Sequence, residues 1–142
     1  ALGNAGETVV YTKPVVDAAS QLAALDGFKN DLKSGAVKTI IALGGNPAYT
    51  LPADVDFANA AKGATLIALC ADENETWQLA EWQLPEAHAF ESWSDARALD
   101  GTVSVGQPLI APLYEGRSVL EVAALLAGMA DRKGFDLVRK YW

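Results

Sequence analysis

Apolar residues in this chain come in short blocks separated by glycine, proline and charged turns, and the period of each block predicts an element. Glu7 to Tyr11 (ETVVY) is short and β-branched, which predicts a strand entering from Gly6 and stopping before Pro14, a residue unable to donate to a central ladder. Leu22, Leu25, Phe28 and Leu32 then recur at helical spacing behind Ser20, a capping residue, and Gly35 stands where a glycine ends helices. Lys29 and Lys33 fall on the opposite, solvated face. Val37 to Leu43 (VKTIIAL) is continuously apolar, the pattern of a central strand covered by helices on both faces. It breaks at Gly44-Gly45-Asn46-Pro47, after which Pro52 or Asp54 opens a helix running through Phe57 and Ala61 to Gly63. Thr65 to Cys70 (TLIALC) is a second buried strand.

Further on, Glu73 to Glu81 predicts a short helix and Trp82 to Leu84 a strand ending at Pro85. Asp100 to Val105 predicts an extended piece after an irregular stretch. Ser118 caps a helix from Val119 to Met129, and Phe135 to Trp142 forms a last amphipathic turn or two. Strand and helix alternating with short connections predict a single α/β domain over 1–142, Rossmann-like, with a mostly parallel sheet and flanking helices. Within it, 1–84 is the sheet-and-helix core, 85–118 an irregular arm and 119–142 the C-terminal helices.

Composition narrows the function classes. Eighteen acids against eleven bases leave a net charge of -7 with no basic run, so nucleic acid is not an expected partner. The longest apolar stretches are far shorter than the roughly 20 residues that span a bilayer, which predicts a soluble piece without direct membrane insertion. Cys70 is the only cysteine, so neither an internal disulfide nor a self-contained iron-sulfur cluster can form, the latter needing about four thiolates. The opening Ala1-Leu2-Gly3-Asn4 lacks Met and reads as an excised piece of a longer polypeptide or a mature chain after processing, the first being favoured.

Candidate chemistry concentrates where strands end. Gly44, Gly45, Asn46 and Pro47 follow an apolar strand, and glycines there let backbone approach a phosphate; the competing reading is a tight turn that simply needs two glycines. Neither G-x-G-x-x-G nor the P-loop lysine is present. Asp72-Glu73-Asn74-Glu75-Thr76 also follows a strand, with helix capping as its plain explanation. His88, near Glu91 and Asp95, invites a metal or acid/base role, but a lone histidine reads first as structural. Cys70 reads as a small buried hydrophobe, and Trp77, Trp82, Trp93 and Trp142 as packing or interface aromatics. No catalytic residue, metal ligand or cofactor held by this piece alone is expected.

The order of these segments resembles the third domain of the molybdopterin oxidoreductases, such as formate dehydrogenase and dimethyl sulfoxide reductase relatives. It is carried by Gly45-Asn46-Pro47, Glu75-Thr76, Leu79-Ala80-Glu81, Leu84-Pro85, Glu91 and Gly101-Thr102. Longer stretches, among them GGNPAYTLPADVDFANA at 44–60 and LPEAHAFESWSDARALDGTVSVGQPLIAPLYEGRS at 84–118, resemble the molybdopterin-oxidoreductase-like B subunit of alternative complex III and its relatives with an extended twin-arginine signal. The resemblance implies an iron-sulfur-associated subunit of a quinol-oxidising respiratory complex, exported to the periplasmic side of the bacterial inner membrane. Its partners would be other domains of its own chain and other subunits of the complex.

The resemblance further implies that Gly44, Gly45, Asn46, Pro47, Glu75 and Thr76 descend from a site for molybdopterin guanine dinucleotide. Cys70 stands where the family's aspartate precedes the threonine, and losing that carboxylate leaves base N–H groups unpaired. The leading expectation is therefore a scaffold domain with a degenerate cofactor site. The alternative is part of the dinucleotide site of an active molybdenum enzyme, and a third possibility is a free-standing nucleotide-binding module.

Overall fold

A computed structural model describes residues 2–14, 21–129 and 132–142. It shows a mixed α/β domain with a three-stranded parallel sheet and a separate two-stranded antiparallel hairpin. The parallel sheet has the order β1-β2-β3, with β1 at Thr39–Leu43, β2 at Thr65–Cys70 and β3 at Trp82–Pro85. Thr39 to Leu43 pair in register with Thr65 to Leu69, and Ile67 to Cys70 with Trp82 to Pro85.

The expected central place of Val37 to Leu43 is corrected in one respect. Among the described residues β2 is central and β1 is an edge. Ile40 and Ala42 face the core while Thr39 and Ile41 are exposed, so β1 is covered on one face only. A run of apolar residues records strand propensity, and the covering of its second face is settled by elements far away in sequence. β2 carries the burden instead: Leu66, Ala68, Leu69 and Cys70 are all buried, and each such leucine contributes about 1.5–3 kcal/mol.

Helix α1 (Gln21–Ser34) packs Leu32 into the cluster of Ile40, Ala42, Phe57, Ala61 and Leu66, and Phe28 stacks against Phe57 at 6.4 Å between ring centroids. Gly35 adopts φ +69°, and its N–H donates to the Leu32 carbonyl, ending the helix as expected. The expected cap Ser20 and the side chain of Leu22 lie outside the described residues. Lys29 reaches Asp54 at 3.5 Å, but such a surface pair is worth about 0–1 kcal/mol, so apolar packing holds α1.

Three further expectations are corrected. Glu7 to Tyr11 forms no strand: the Asn4 carbonyl accepts from the N–H groups of Glu7, Thr8 and Val9, and Gly6 at positive φ donates to the Val9 carbonyl, so the backbone of 4–9 bonds within a local turn. After a single turn of helix α2 (Pro47–Thr50), the helix expected from Pro52 or Asp54 to Gly63 is a chain of short pieces, a 3-10 turn at Ala53–Val55, α3 (Phe57–Ala60) and a second 3-10 turn at Ala61–Gly63. Asp56, at φ 46° and ψ 53°, is left-handed and interrupts the helix, and its carboxylate accepts from the Asn59 amide. The helix expected over Glu73 to Glu81 shortens to α4 (Glu75–Leu79), capped by the Asn74 side chain accepting from Trp77 N.

The arm is also more ordered than its sequence suggests. It contains the hairpin β4 (Ser94–Arg97) and β5 (Val103–Gly106), and returns at Arg117 to bridge Glu86 in the direction of the parallel strands. Gly116 is buried against the backbone of Glu86 and Ala87 and permits this close return. Ser118 then opens α5 (Val119–Leu126) with a reciprocal capping box to Glu121. Helix α6 (Gly134–Tyr141) closes the chain, with Phe135 edge-on to Trp93. Trp142 donates its indole N–H to Asp95 while Arg97 lies over its ring.

Candidate functional site

Parallel pairing of β1, β2 and β3 sends the chain out of all three strands on one edge of the sheet. The Gly44 to Pro47 loop and the Asp72 to Thr76 segment therefore lie side by side, and hydrogen bonds join them. Asn46 is the hub. Its Oδ1 accepts from Thr76 Oγ1 at 2.8 Å and Thr76 N at 3.2 Å, and its Nδ2 donates to Glu75 Oε2. Three of the four hydrogen bonds that an asparagine side chain can make are thus spent inside the protein.

Thr76 is fully buried and equally committed, since its Oγ1 also accepts from Ala48 N at 3.0 Å. The Asn46 amide holds the Glu75 carboxyl below its ordinary range. Asn74 donates to the Gly45 carbonyl at 3.4 Å, tying the loop to the cap of α4. Gly44 and Gly45 both adopt positive φ, near +70°, so the double glycine is required by the turn itself. Pro47 starts α2, where its missing N–H costs nothing.

Cys70 ends β2 beneath this loop. Its sulfur makes only long contacts, 3.9 Å to the Gly45 carbonyl and 3.9 Å to Asn74 Oδ1. Burial pushes the thiol up, partly offset by the Asn74 contact, so it sits as a neutral thiol rather than a nucleophile.

His88 belongs to the arm. Its Nδ1 accepts from Phe90 N at 3.1 Å, and its own N–H donates to Glu91 Oε2 at 2.9 Å. Glu91 Oε1 accepts from Leu113 N at 3.0 Å. One carboxylate thereby pins both ends of the arm. The two N–H groups hold the Glu91 carboxyl below its ordinary value. His88, Glu91 and Asp95 do not assemble as ligands, and no group of three or more His, Cys, Asp or Glu among the described residues could hold a metal ion.

Sequence reasoning missed two residues at the carboxyl edge. Asn74 was subsumed in an acidic run, although asparagine is a strong N-cap. Glu86 follows β3 as directly as Gly44 follows β1, and its carboxylate lies over Gly44: a Cβ there would meet its two oxygens at 3.4 and 3.8 Å. Position after a strand end was the available signal.

Compared with known families and curated proteins, the chain matches no family model and no curated sequence. No helix among the described residues is long and apolar enough to cross a membrane.

Proposed function

We propose that this chain is a Rossmann-like scaffold domain, akin to the third domain of the molybdopterin oxidoreductases, whose dinucleotide site has closed on itself. It would serve an iron-sulfur-associated subunit of a quinol-oxidising respiratory complex, of the alternative complex III type, exported by the twin-arginine route to the periplasmic side of the bacterial inner membrane. The observation that carries this reading is the mutual hydrogen bonding of Asn46, Glu75 and Thr76, which takes up three of the four bonds that Asn46 can make. In a working site those polar groups would face a ligand; here they bind each other, and the position under the loop is a neutral thiol that cannot take two N–H groups.

The arm supports the scaffold role. Leu99, Leu109, Leu113 and Tyr114 are each more than two thirds exposed, and apolar groups on an extended arm suit burial against neighbouring domains or subunits. Molybdopterin guanine dinucleotide, if carried, would meet Gly45 and Asn46 backbone first, and iron-sulfur clusters would belong to other parts of the polypeptide.

Calorimetric titration of the purified protein with GDP tests the closed site. The expected result is no saturable heat, with Cys70→Asp gaining weak guanine-selective binding. Low-micromolar, guanine-selective binding by the unmodified protein would overturn the closed-site reading in favour of part of an active molybdenum site. The respiratory setting requires C-x2-C-x2-C-x3-C runs in the polypeptide encoded around this chain.

A further inference from the structure

Among the described residues that follow the three parallel strands, Glu86 differs from the exposed Asp72 and Glu73 in carrying its carboxylate partly buried and without a partner. Its backbone N–H donates to the Cys70 carbonyl, extending the sheet by one residue, and this fixes where the side chain leaves the strand. The carboxylate is partly buried over Gly44 and beside Val119, the first residue of α5. Neither of its oxygens takes part in a hydrogen bond or an ion pair among the described residues. They are nevertheless open to solvent, since no buried side-chain oxygen among the described residues lacks a partner. Burial pushes its carboxyl above the ordinary carboxylate range. Such a group is held at a cost to stability, and unpaired groups of this kind gather at binding sites.

A cavity of about 450 Å³ adjoins it, bounded by Glu86, Trp93, Asp95, Ser118, Val119 and Leu120 among others, and none of the residues lining it is cationic. Asp95 gives one oxygen to the Trp142 indole and Ser118 is engaged by Glu121, which leaves Glu86 as the lining carboxylate with both oxygens unpaired. We propose that this crevice binds a small organic cation with a planar amidinium or guanidinium head and an apolar body. Two unpaired carboxylate oxygens match the two parallel N–H groups of such a head better than a point charge. A divalent metal would need several oxygen ligands that the described residues do not bring together. The apolar walls take the body of the ligand, and the start of α5 closes one side.

The probe is benzamidine, with benzamide as its neutral counterpart of the same shape, each titrated into the purified protein and followed by NMR shifts of Gly44 and Val119. Benzamidine is expected to saturate these shifts, and benzamide to bind at least about tenfold more weakly. Glu86→Gln, which keeps the shape and removes the unpaired charge, is expected to weaken benzamidine at least about tenfold. The same variant should melt no lower than the parent, so lost binding is separable from lost folding. Equal binding of the two probes, no binding of benzamidine, or full binding by Glu86→Gln would each overturn the proposal. So would an equal loss in Asp26→Asn on the exposed side of α1, which would reduce the effect to general attraction by an acidic protein. Guanine binding and amidinium binding are read with different ligands, and either can fail alone.

Discussion

The hydroxyl of Thr76 donates to Oδ1 of Asn46 at 2.8 Å across 30 residues of sequence, and accepts from Ala48 N at 3.0 Å. A single fully buried side chain therefore joins the strand-end loops of β1 and β2, leaving neither its donor nor its acceptor idle. Asn46 is held inward by two bonds to its Oδ1, one from the Thr76 hydroxyl and one from the Thr76 N–H.

Thr76→Val keeps the volume and removes both bonds, stranding Ala48 N–H and half of Asn46 Oδ1. The expected loss is about 1–3 kcal/mol of unfolding free energy, read from urea denaturation. A value near zero would mean that the two loops hold their places without this link.

Gly116 is the hinge of the arm's return. A Cβ there would lie 3.0 Å from Ala87 N and 3.2 Å from Glu86 C, which are backbone atoms unable to rotate away. Gly116→Ala is expected to cost about 1–3 kcal/mol, as overpacking does, and to raise amide exchange at Ala87 and Arg117, whose N–H groups bond across this junction. Unchanged exchange at both would show that the backbone yields at little cost.

Acid should loosen the arm before it unfolds the sheet. The folded Glu91 carboxyl is held below its ordinary value of 4.5 by the N–H groups of His88 and Leu113. Its stabilisation is therefore present above that ordinary value and fades as pH falls through the lowered folded value. The protection factors of His88 and Leu113 amides, which divide out the intrinsic pH dependence of exchange, are expected to fall across that window, while β2 amides stay protected. Glu91→Gln should loosen the arm at neutral pH and flatten the response. Protection factors at these two amides that do not change with pH would remove Glu91 from its pinning role.

Several elements were legible because their causes are local. The apolar runs of β1 and β2, the glycine stop at Gly35 and the Ser118 cap each reside in a few adjacent residues. The juxtaposition of the Asn46 and Thr76 loops followed from topology, since parallel neighbours share an exit edge. β5 was legible in part, as the extended piece expected over Asp100 to Val105, whereas β4 was not, because Ser94 to Arg97 are exposed throughout and carry no alternation of apolar and polar positions.

What this sequence determined by itself is the set of short-range facts: alternating strands and helices, the turns that glycine and proline impose, and an acidic chain with one thiol. Tertiary structure alone decided that β1 is an edge, that Asn46 spends its hydrogen bonds on Glu75 and Thr76, and that the Glu86 carboxylate has no partner among the described residues. The reason is physical. Propensity and period act over a few residues, whereas burial, saturation of a polar group and the pairing of a charge depend on which distant residues come within about 3 Å.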